Sequence, residues 1–325
     1  MLAIEYQGDG GVEVLAEGDR PEPISAPGEV LIKVAGFGLN RADIQQRIGV
    51  YPPPPGASDI PGLEVAGIVE AVGQSADKSL IGQRVCALLA GGGYAQYAAV
   101  PAGHILQIPA HLDLVDAAGF MEVAATVVSN LFLEAKVVAG QNVLIHGGSG
   151  GIGSMAIQLC AAAGANVIVT APSPEKIAHC LALGAQHGIN YREEDFVART
   201  KGPTSGQGVD AILDVVGAKY LDSNIKALAL DGTLTTIGLI GGARAELNIG
   251  LLMGKPARVI GRTLRARPAE QKSAIVAEVA ARLLPLLEAE TLDLAIDRRF
   301  SFTDIHLAHE YFDSVNPAGK IVVTS

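Results

Sequence analysis

Over roughly the first 120 residues the chain alternates apolar and polar positions in short runs, the period-2 signature of strands with one buried face. These runs, punctuated by Gly, Asp and Pro, predict β-strands at Met1–Tyr6, Val12–Leu15, Val30–Ala35, Val65–Val72, Arg84–Leu89, Tyr94–Val100 and Ile105–Ile108. Asn40–Arg47 reads as a short helix, and Tyr51 opens a stiff, polyproline-like loop with prolines at 52–55. The pattern is that of a compact, antiparallel, barrel-like β domain. From Asp113 the spacing becomes helical, with helices expected over Asp116–Leu133 and Glu134–Val138. Continuous apolar runs then alternate with helices: strands at Val143–Ile145, Val167–Thr170, Gly188–Tyr191, Ala211–Asp214, Thr233–Ile237 and Arg258–Gly261, and helices after Gly153, at Pro174–Leu183, Glu194–Thr200 and Tyr220–Leu228. Strands buried on both faces and joined by helices predict a doubly wound parallel sheet. An amphipathic helix Pro268–Glu288, a return through Arg299–Ser301, a helix Thr303–Ser314 and a strand Lys320–Thr324 end the chain. That tail is expected to rejoin the first domain, giving a discontinuous domain of residues 1–121 and 266–325 around a second of 122–265.

The strongest chemical signal lies where the alternation begins. Val143-Leu144-Ile145 runs into Gly148-Ser149-Gly150-Gly151-Ile152-Gly153, a G-x-G-x-x-G turn followed by an Ala-rich helix and a second strand. In a βαβ unit these glycines allow a tight turn, close approach of a pyrophosphate, and packing of helix on strand. The helix N-terminus adds unpaired N–H groups and a positive dipole end. The turn therefore predicts a dinucleotide site. NAD-specific sites carry an acid at the end of the second strand for the ribose 2′-hydroxyl, whereas this chain has Thr170, Ala171 and Pro172 there. Ser173 then caps a helix with Pro174 at its first position, and Lys176 follows, a set suited to a 2′-phosphate. Glu175 is a mild contrary sign. The expected cofactor is NADPH.

Composition narrows the field. Of 325 residues, 49% are hydrophobic and 18% charged, which fits a well-packed α/β protein, and the 39 glycines are scattered rather than periodic. The net charge of −10 disfavours nucleic acid as a principal partner. No apolar run is expected to reach membrane-spanning length, and the first residues lack a signal-peptide pattern, so the expected compartment is the cytosol. Cys86, Cys160 and Cys180 are too few and too spread for a disulfide framework or a zinc site. His306 and His309 stand three apart on one helix without a third ligand and are expected on a solvated face, while His146 is expected to bond locally at a strand end. No G-x-S-x-G elbow is present, and Ser149 reads as a turn residue.

The segments GFGLNRADIQQRIGVYPPPPGAS (36–58), PGLEVAGIVEAVG (61–73), LLAGGGYAQYAAVP (88–101), the glycine turn, GINYREEDF (188–196) and GKIVV (319–323) carry a resemblance over essentially the whole chain. It is to the medium-chain dehydrogenase/reductase superfamily and, within it, to the zinc-independent quinone oxidoreductases, zeta-crystallin-like and of the tumour-suppressor-inducible type. The resemblance implies a GroES-like, β-rich catalytic domain beside a Rossmann domain, quinone reduction by NADPH, and a homodimer. Zinc-dependent alcohol dehydrogenases of this superfamily have a ligand Cys where this chain has Asn40 and a ligand His where it has Leu63, and the four-cysteine lobe is missing. No metal is therefore expected, and without a Lewis acid the chemistry favours an acceptor that is already electrophilic, a quinone or an activated alkene.

By the same resemblance Asn40 and Tyr51 line the acceptor site next to the nicotinamide, with Tyr51 able to hydrogen-bond a quinone oxygen, and Thr126 lies near the carboxamide. Tyr191 lies near the adenosine phosphate, and Val216-Gly217, Gly238-Leu239 and Thr263-Leu264 follow sheet strands where such sheets bind ligands. Near relatives often carry Ser where this chain has Gly150. The competing readings are an enoyl or alkenal double-bond reductase on the same scaffold, and a non-catalytic NADPH-binding protein of the crystallin or RNA-binding sort.

Overall fold

A computed structural model describes residues 1–315 and 317–325. The chain divides into two compact units, Met1–Ala125 with Leu264–Ser325, and Thr126–Thr263.

The first unit is built on strands. β1 (Leu2–Tyr6) and β2 (Leu15–Asp19) form an antiparallel ribbon. β3 (Glu29–Gly38) is followed by α1 (Arg41–Arg47), then β4 (Glu64–Val72), β5 (Arg84–Leu88), β6 (Tyr97–Pro101) and β7 (Ile105–Gln107). Two short helices follow, α2 (Leu114–Ala117) and α3 (Met121–Val127), the last two residues of α3 belonging to the second unit. β3 is the hub. It pairs antiparallel with β4, with β6 and with β15 (Lys320–Thr324), which in turn pairs parallel with β14 (Ile296–Phe300). Val30, Ile32 and Val34 turn inward while Lys33 points out, the expected strand alternation. They meet Phe37, Val65, Val85, Ile321 and Val323 in one core, where the rings of Phe37 and Tyr94 stack at 4.4 Å. Where β3 and β4 shift register, Gly67 is required, because a Cβ there would press on the Lys33 carbonyl.

The second unit contains β8 (Asn142–His146), α4 (Gly151–Ala162), β9 (Asn166–Ala171), α5 (Pro174–Ala182), β10 (His187–Asn190), α6 (Phe196–Thr200), β11 (Val209–Asp214), α7 (Leu221–Ala227), β12 (Leu228–Thr236), α8 (Ile249–Met253) and β13 (Arg258–Gly261). Its six strands lie in the order β10-β9-β8-β11-β12-β13, all parallel. Val143, Leu144 and Ile145 are wholly buried, as a central strand covered on both faces requires. The order reverses between β8 and β11, the switch point at which doubly wound sheets open a crevice. α9 (Ala269–Glu288) and α10 (Ile305–Val315) return the chain to the first unit.

Several expectations fail for identifiable reasons. Val12–Val14 is a 3-10 turn rather than a strand, because the Glu13 carboxylate caps the Gly11 N–H at 2.8 Å, and the strand starts at Leu15. The continuous helix expected over Asp116–Leu133 is broken between Ala117 and Met121, around Gly119, and ends in a π-helical turn, Val128–Glu134. Ser129 Oγ and Asn130 Nδ2 donate to the Thr126 carbonyl at 3.1 and 2.9 Å, where the helical register changes. Residues 135–138 are not helical, and Lys136 has φ +57°. Leu114–Glu134 is, by length and composition, apolar enough to cross a membrane, against expectation; 78% of its apolar window is buried inside the protein. His309 is fully buried rather than solvated, whereas His306 is exposed. Ile305, Ala308 and His309 form the i, i+3, i+4 stripe that α10 buries. The His309 ring nitrogens lie 3.0 Å from Arg47 Nη1 and 3.3 Å from Tyr94 Oη.

These buried groups set the acid response. Burial pushes His146 down to about 4, and burial with the Arg47 charge pushes His309 down to about 3, so each stabilises the fold fully above the ordinary histidine range and loses that contribution as pH falls below about 6.5. Burial raises the carboxyl of Asp43, on α1, to about 7, so its contribution grows over the same fall. His309 and Asp43 oppose each other in the first unit, and in the second His146 is opposed by Asp214, whose carboxyl is also raised by burial. In an Asp214→Asn variant, acidification from pH 6.5 to 4.5 should therefore weaken the six-stranded unit by up to about 1.4 kcal/mol per pH unit, and by less in the unmodified protein. Hydrogen exchange resolved by peptide and corrected for intrinsic rates tests this; equal loss with and without the Asp214 carboxyl contradicts it.

Candidate functional site

In the second unit the glycine turn joins β8 to α4, and its three motif glycines do different jobs. A Cβ on Gly153 would collide with the carbonyls of Gly147 and Gly148, so helix and turn close only around a hydrogen atom. A Cβ on Gly148 would lie 2.8 Å from Val169 of β9. At Gly150 the nearest atom is the Gly147 carbonyl oxygen at 3.7 Å, so this position faces open space. Gly150 is the N-cap of α4 and its carbonyl accepts from Ser154 N at 2.8 Å, which leaves the N–H groups of Gly151, Ile152 and Gly153 as the unpaired first turn of a twelve-residue helix. Ser149 is buried. The set is a cradle for an anion.

Because the six strands run parallel, everything that follows them gathers at one edge of the sheet. Ser173 follows β9 and accepts from Lys176 N at 3.4 Å, with Pro174 at the first helical position. Thr170 and Ala171 are buried and bring no acid to the strand end. Tyr191 follows β10 and is 38% exposed. Val216 and Gly217 follow β11, Gly238 and Leu239 follow β12, and Thr263 follows β13. Thr126 is buried in α3, its carbonyl held by the π-helical turn. Leu264 belongs to the first unit.

One supporting group, Asp214, is not foreseen, and His146, expected to bond locally at a strand end, reaches further. The buried Asp214 carboxylate accepts from Val216 N at 2.8 Å and Gly217 N at 2.9 Å, which shapes the turn after β11. His146 ties three elements, with Nδ1 3.0 Å from Thr170 Oγ1 and Nε2 2.7 Å from Asn224 Oδ1. The amide oxygen only accepts, so Nε2 carries the proton and Thr170 donates to Nδ1. A lone acid ending an apolar strand was the available signal for Asp214.

In the first unit Asn40 caps α1 and Tyr51 follows it, the Tyr51 N–H bonding Gln45 O at 3.1 Å. Asn40 is the centre of a buried polar knot. The Lys320 ammonium donates to Leu39 O at 2.7 Å, Asn40 Oδ1 at 2.6 Å and Glu64 Oε1 at 2.7 Å, which uses its three protons. Glu64 Oε1 also accepts from Asn40 Nδ2 at 2.9 Å, and Oε2 accepts from Glu122 N at 2.8 Å. Asn40 N donates to Asp43 Oδ2 at 2.8 Å. Glu64 is 0% exposed and Lys320 4%. The ammonium fixes which end of the Asn40 amide is oxygen, and the second amide hydrogen is held by a long bond to Gly38 O at 3.5 Å. Tyr51 is half-buried, its phenol raised by burial and lowered by the Arg265 charge.

The knot does not suit a metal. Leu63 is buried without a donor atom, both Glu64 oxygens are engaged, and a cation already sits on them. Among the described residues no three His, Cys, Asp or Glu side chains converge on one point.

Comparison with known proteins places both halves in a common setting. Residues 26–110 match the family described as alcohol dehydrogenase GroES-like domain, and residues 151–281 match that described as zinc-binding dehydrogenase. The chain is similar to the quinone oxidoreductase of Rattus norvegicus, 31% identical over 99% of this chain and 96% of that protein. Its fold is similar to the Escherichia coli quinone oxidoreductase complexed with NADPH, with TM-score 0.88, 28% identity and complete coverage of both chains. It is also similar to the CurK enoyl reductase, with TM-score 0.87 and 25% identity over 99% of this chain and 98% of that one.

Two outcomes test this geometry. Lys320→Met strands a buried carboxylate and should cost about 3–5 kcal/mol in denaturant titration, whereas Arg299→Ala, which breaks an exposed pair with Asp116, should cost at most about 1 kcal/mol. Gly153→Ala should abolish dinucleotide binding in calorimetry while Gly150→Ala preserves it, the reverse order being incompatible with the cradle described.

Proposed function

From its membership of the quinone oxidoreductase family within the medium-chain dehydrogenase/reductase superfamily, to which the chain belongs, we propose that this protein reduces quinones with NADPH, by hydride transfer and without zinc. The observation that carries the reading is the carboxyl edge of the six-stranded sheet. There, an open Gly150 stands before the unpaired N–H groups of α4, beside a β9 end that has a capping serine and lysine in place of an acid. Bound NADPH would supply the hydride. The protein's own residues do the rest of the cofactor work. Gly151, Ile152 and Gly153 offer N–H groups to the pyrophosphate, Ser173 and Lys176 suit the 2′-phosphate, and Asp214 holds the Val216-Gly217 turn in shape. Tyr191, Gly238, Leu239, Thr263 and Thr126 belong to the same reading as contacts along the cofactor. Tyr51 is the acceptor contact. Asn40, with most of its hydrogen-bonding capacity committed to Lys320 and Glu64, holds the start of α1, and its N–H on the long bond to Gly38 O is the one an acceptor would take over.

The donor set argues for an acceptor that is electrophilic without help. Neither Asn40, Leu63 nor the engaged Glu64 can hold a Lewis acid, and alcohol oxidation depends on one. A homodimer in the cytosol completes the proposal. Its support within the fold is β13, an edge strand with unpaired backbone groups beside the exposed apolar side chains Ile249, Met253 and Val259.

Steady-state rates with NADPH against ortho-quinones, para-quinones and enones decide the substrate class. Turnover of quinones is expected, and activity on enones alone would assign the enzyme to double-bond reduction. Lys176→Ala should raise the KM for NADPH about tenfold or more and leave that for NADH within about twofold. Equal effects on both would remove the 2′-phosphate from this corner.

A further inference from the structure

Arg265 is a second buried cation of the first unit, 4% exposed, and among the described residues no carboxylate lies within ion-pair distance of it. The Asp43 carboxyl acts on this charge only from a distance, and a buried charge without a direct ionic partner is costly. Its planar fork is spent instead on neutral acceptors from three places in the chain. Nε donates to Ala90 O at 2.7 Å, Nη2 to Gln46 Oε1 on α1 at 2.7 Å, and Nη1 to Tyr51 O at 3.3 Å. The guanidinium carbon also stands 5.5 Å from the centre of the Tyr51 ring, within cation–π range. Tyr51 thus meets Arg265 twice, through its carbonyl and through its ring.

The loop explains why such a clamp is needed. Prolines at 52–55 have no N–H groups, so the segment after Tyr51 brings few hydrogen bonds of its own and must be held from outside. Lysine would not replace this arginine, since an ammonium has no planar fork to lie over the Tyr51 ring while its N–H groups reach Ala90 O, Gln46 Oε1 and Tyr51 O. The charge has a second effect. It opposes the upward push of burial on the Tyr51 phenol, while Glu122 adds to that push.

We propose that Arg265 is the positioning residue for the acceptor, clamping the proline loop so that the Tyr51 hydroxyl is presented to a quinone oxygen. This rests on Tyr51 being the acceptor contact. Arg265 also anchors Ala90 and Gln46, so the share of its effect that reaches the acceptor through Tyr51 is the share that vanishes with the Tyr51 hydroxyl.

A double-mutant cycle tests it on the full-length enzyme. Arg265→Lys should raise the quinone KM about tenfold with a smaller change in kcat and an unchanged NADPH Kd. In the Tyr51→Phe background, where the ring and carbonyl remain but the hydroxyl is gone, the same substitution should change the quinone KM by less than about twofold. Gln46→Met, which removes one anchor of the fork, should move KM in the same direction by less, and it serves if Arg265→Lys melts early. Full additivity of the Arg265 and Tyr51 effects overturns the positioning role, as does a parallel loss of NADPH affinity. A Tyr51→Phe enzyme with the original quinone KM overturns the acceptor contact on which the proposal stands. Absence of quinone turnover in the unmodified protein instead overturns the broader reading.

Discussion

The bond between the Lys320 ammonium and the Glu64 carboxylate ties the last strand of the first unit to β4 in its interior. Both groups are taken out of water, and each would be expensive there unless every hydrogen-bonding position were filled. They are filled by the backbone of Leu39, the amide of Asn40 and the second N–H of α3, at Glu122. One pair therefore locks the last strand, the hub strand's exit, the cap of α1, β4 and the entry to α3. The orientation of Asn40 is a consequence of that lock. So is the unsuitability of the place for a metal, since the acid that might have helped to hold one is already neutralised by a side chain.

The two units solve the problem of building a site in different ways. In the second, a parallel sheet sends every strand's end to the same edge, and weak local preferences then suffice: a glycine with room above it, a capping serine, an aspartate folding back on its own turn. In the first, the candidate residues sit before a helix of seven residues and at the start of a proline loop, neither of which is stiff by itself. Rigidity comes there from two buried cations, Lys320 on the cap and Arg265 on the loop, each reaching across long stretches of sequence.

That difference explains what can be read from the sequence. The strand–turn–helix setting of Gly148, Gly150 and Gly153 and the Ser173 cap are local patterns, legible from neighbours a few residues apart. Glu64 and Lys320 are 256 residues apart, and nothing near either of them announces the other. His309 shows a middle case. Pairing it with His306 drew attention to spacing for metal ligation, whereas the stripe with Ile305 and Ala308 marked it as a core residue. The helix expected through Asp116–Leu133 failed because hydropathy averaged over a window does not register a break at Gly119, nor the side chains of Ser129 and Asn130 bonding back to Thr126.

The threading of the first unit has a bearing on how the protein is made. The sheet unit is one uninterrupted span, complete once Thr263 has been added, so it can fold while synthesis continues. The strand-built unit is begun first and finished last: its hub strand β3 waits, the Gly36–Gly38 end of one edge unpaired and its neighbouring acid uncovered, until β15 emerges from the ribosome. During that interval the nascent chain carries an exposed, half-built strand unit beside a mature nucleotide-binding unit, which makes the strand unit the half most in need of a chaperone.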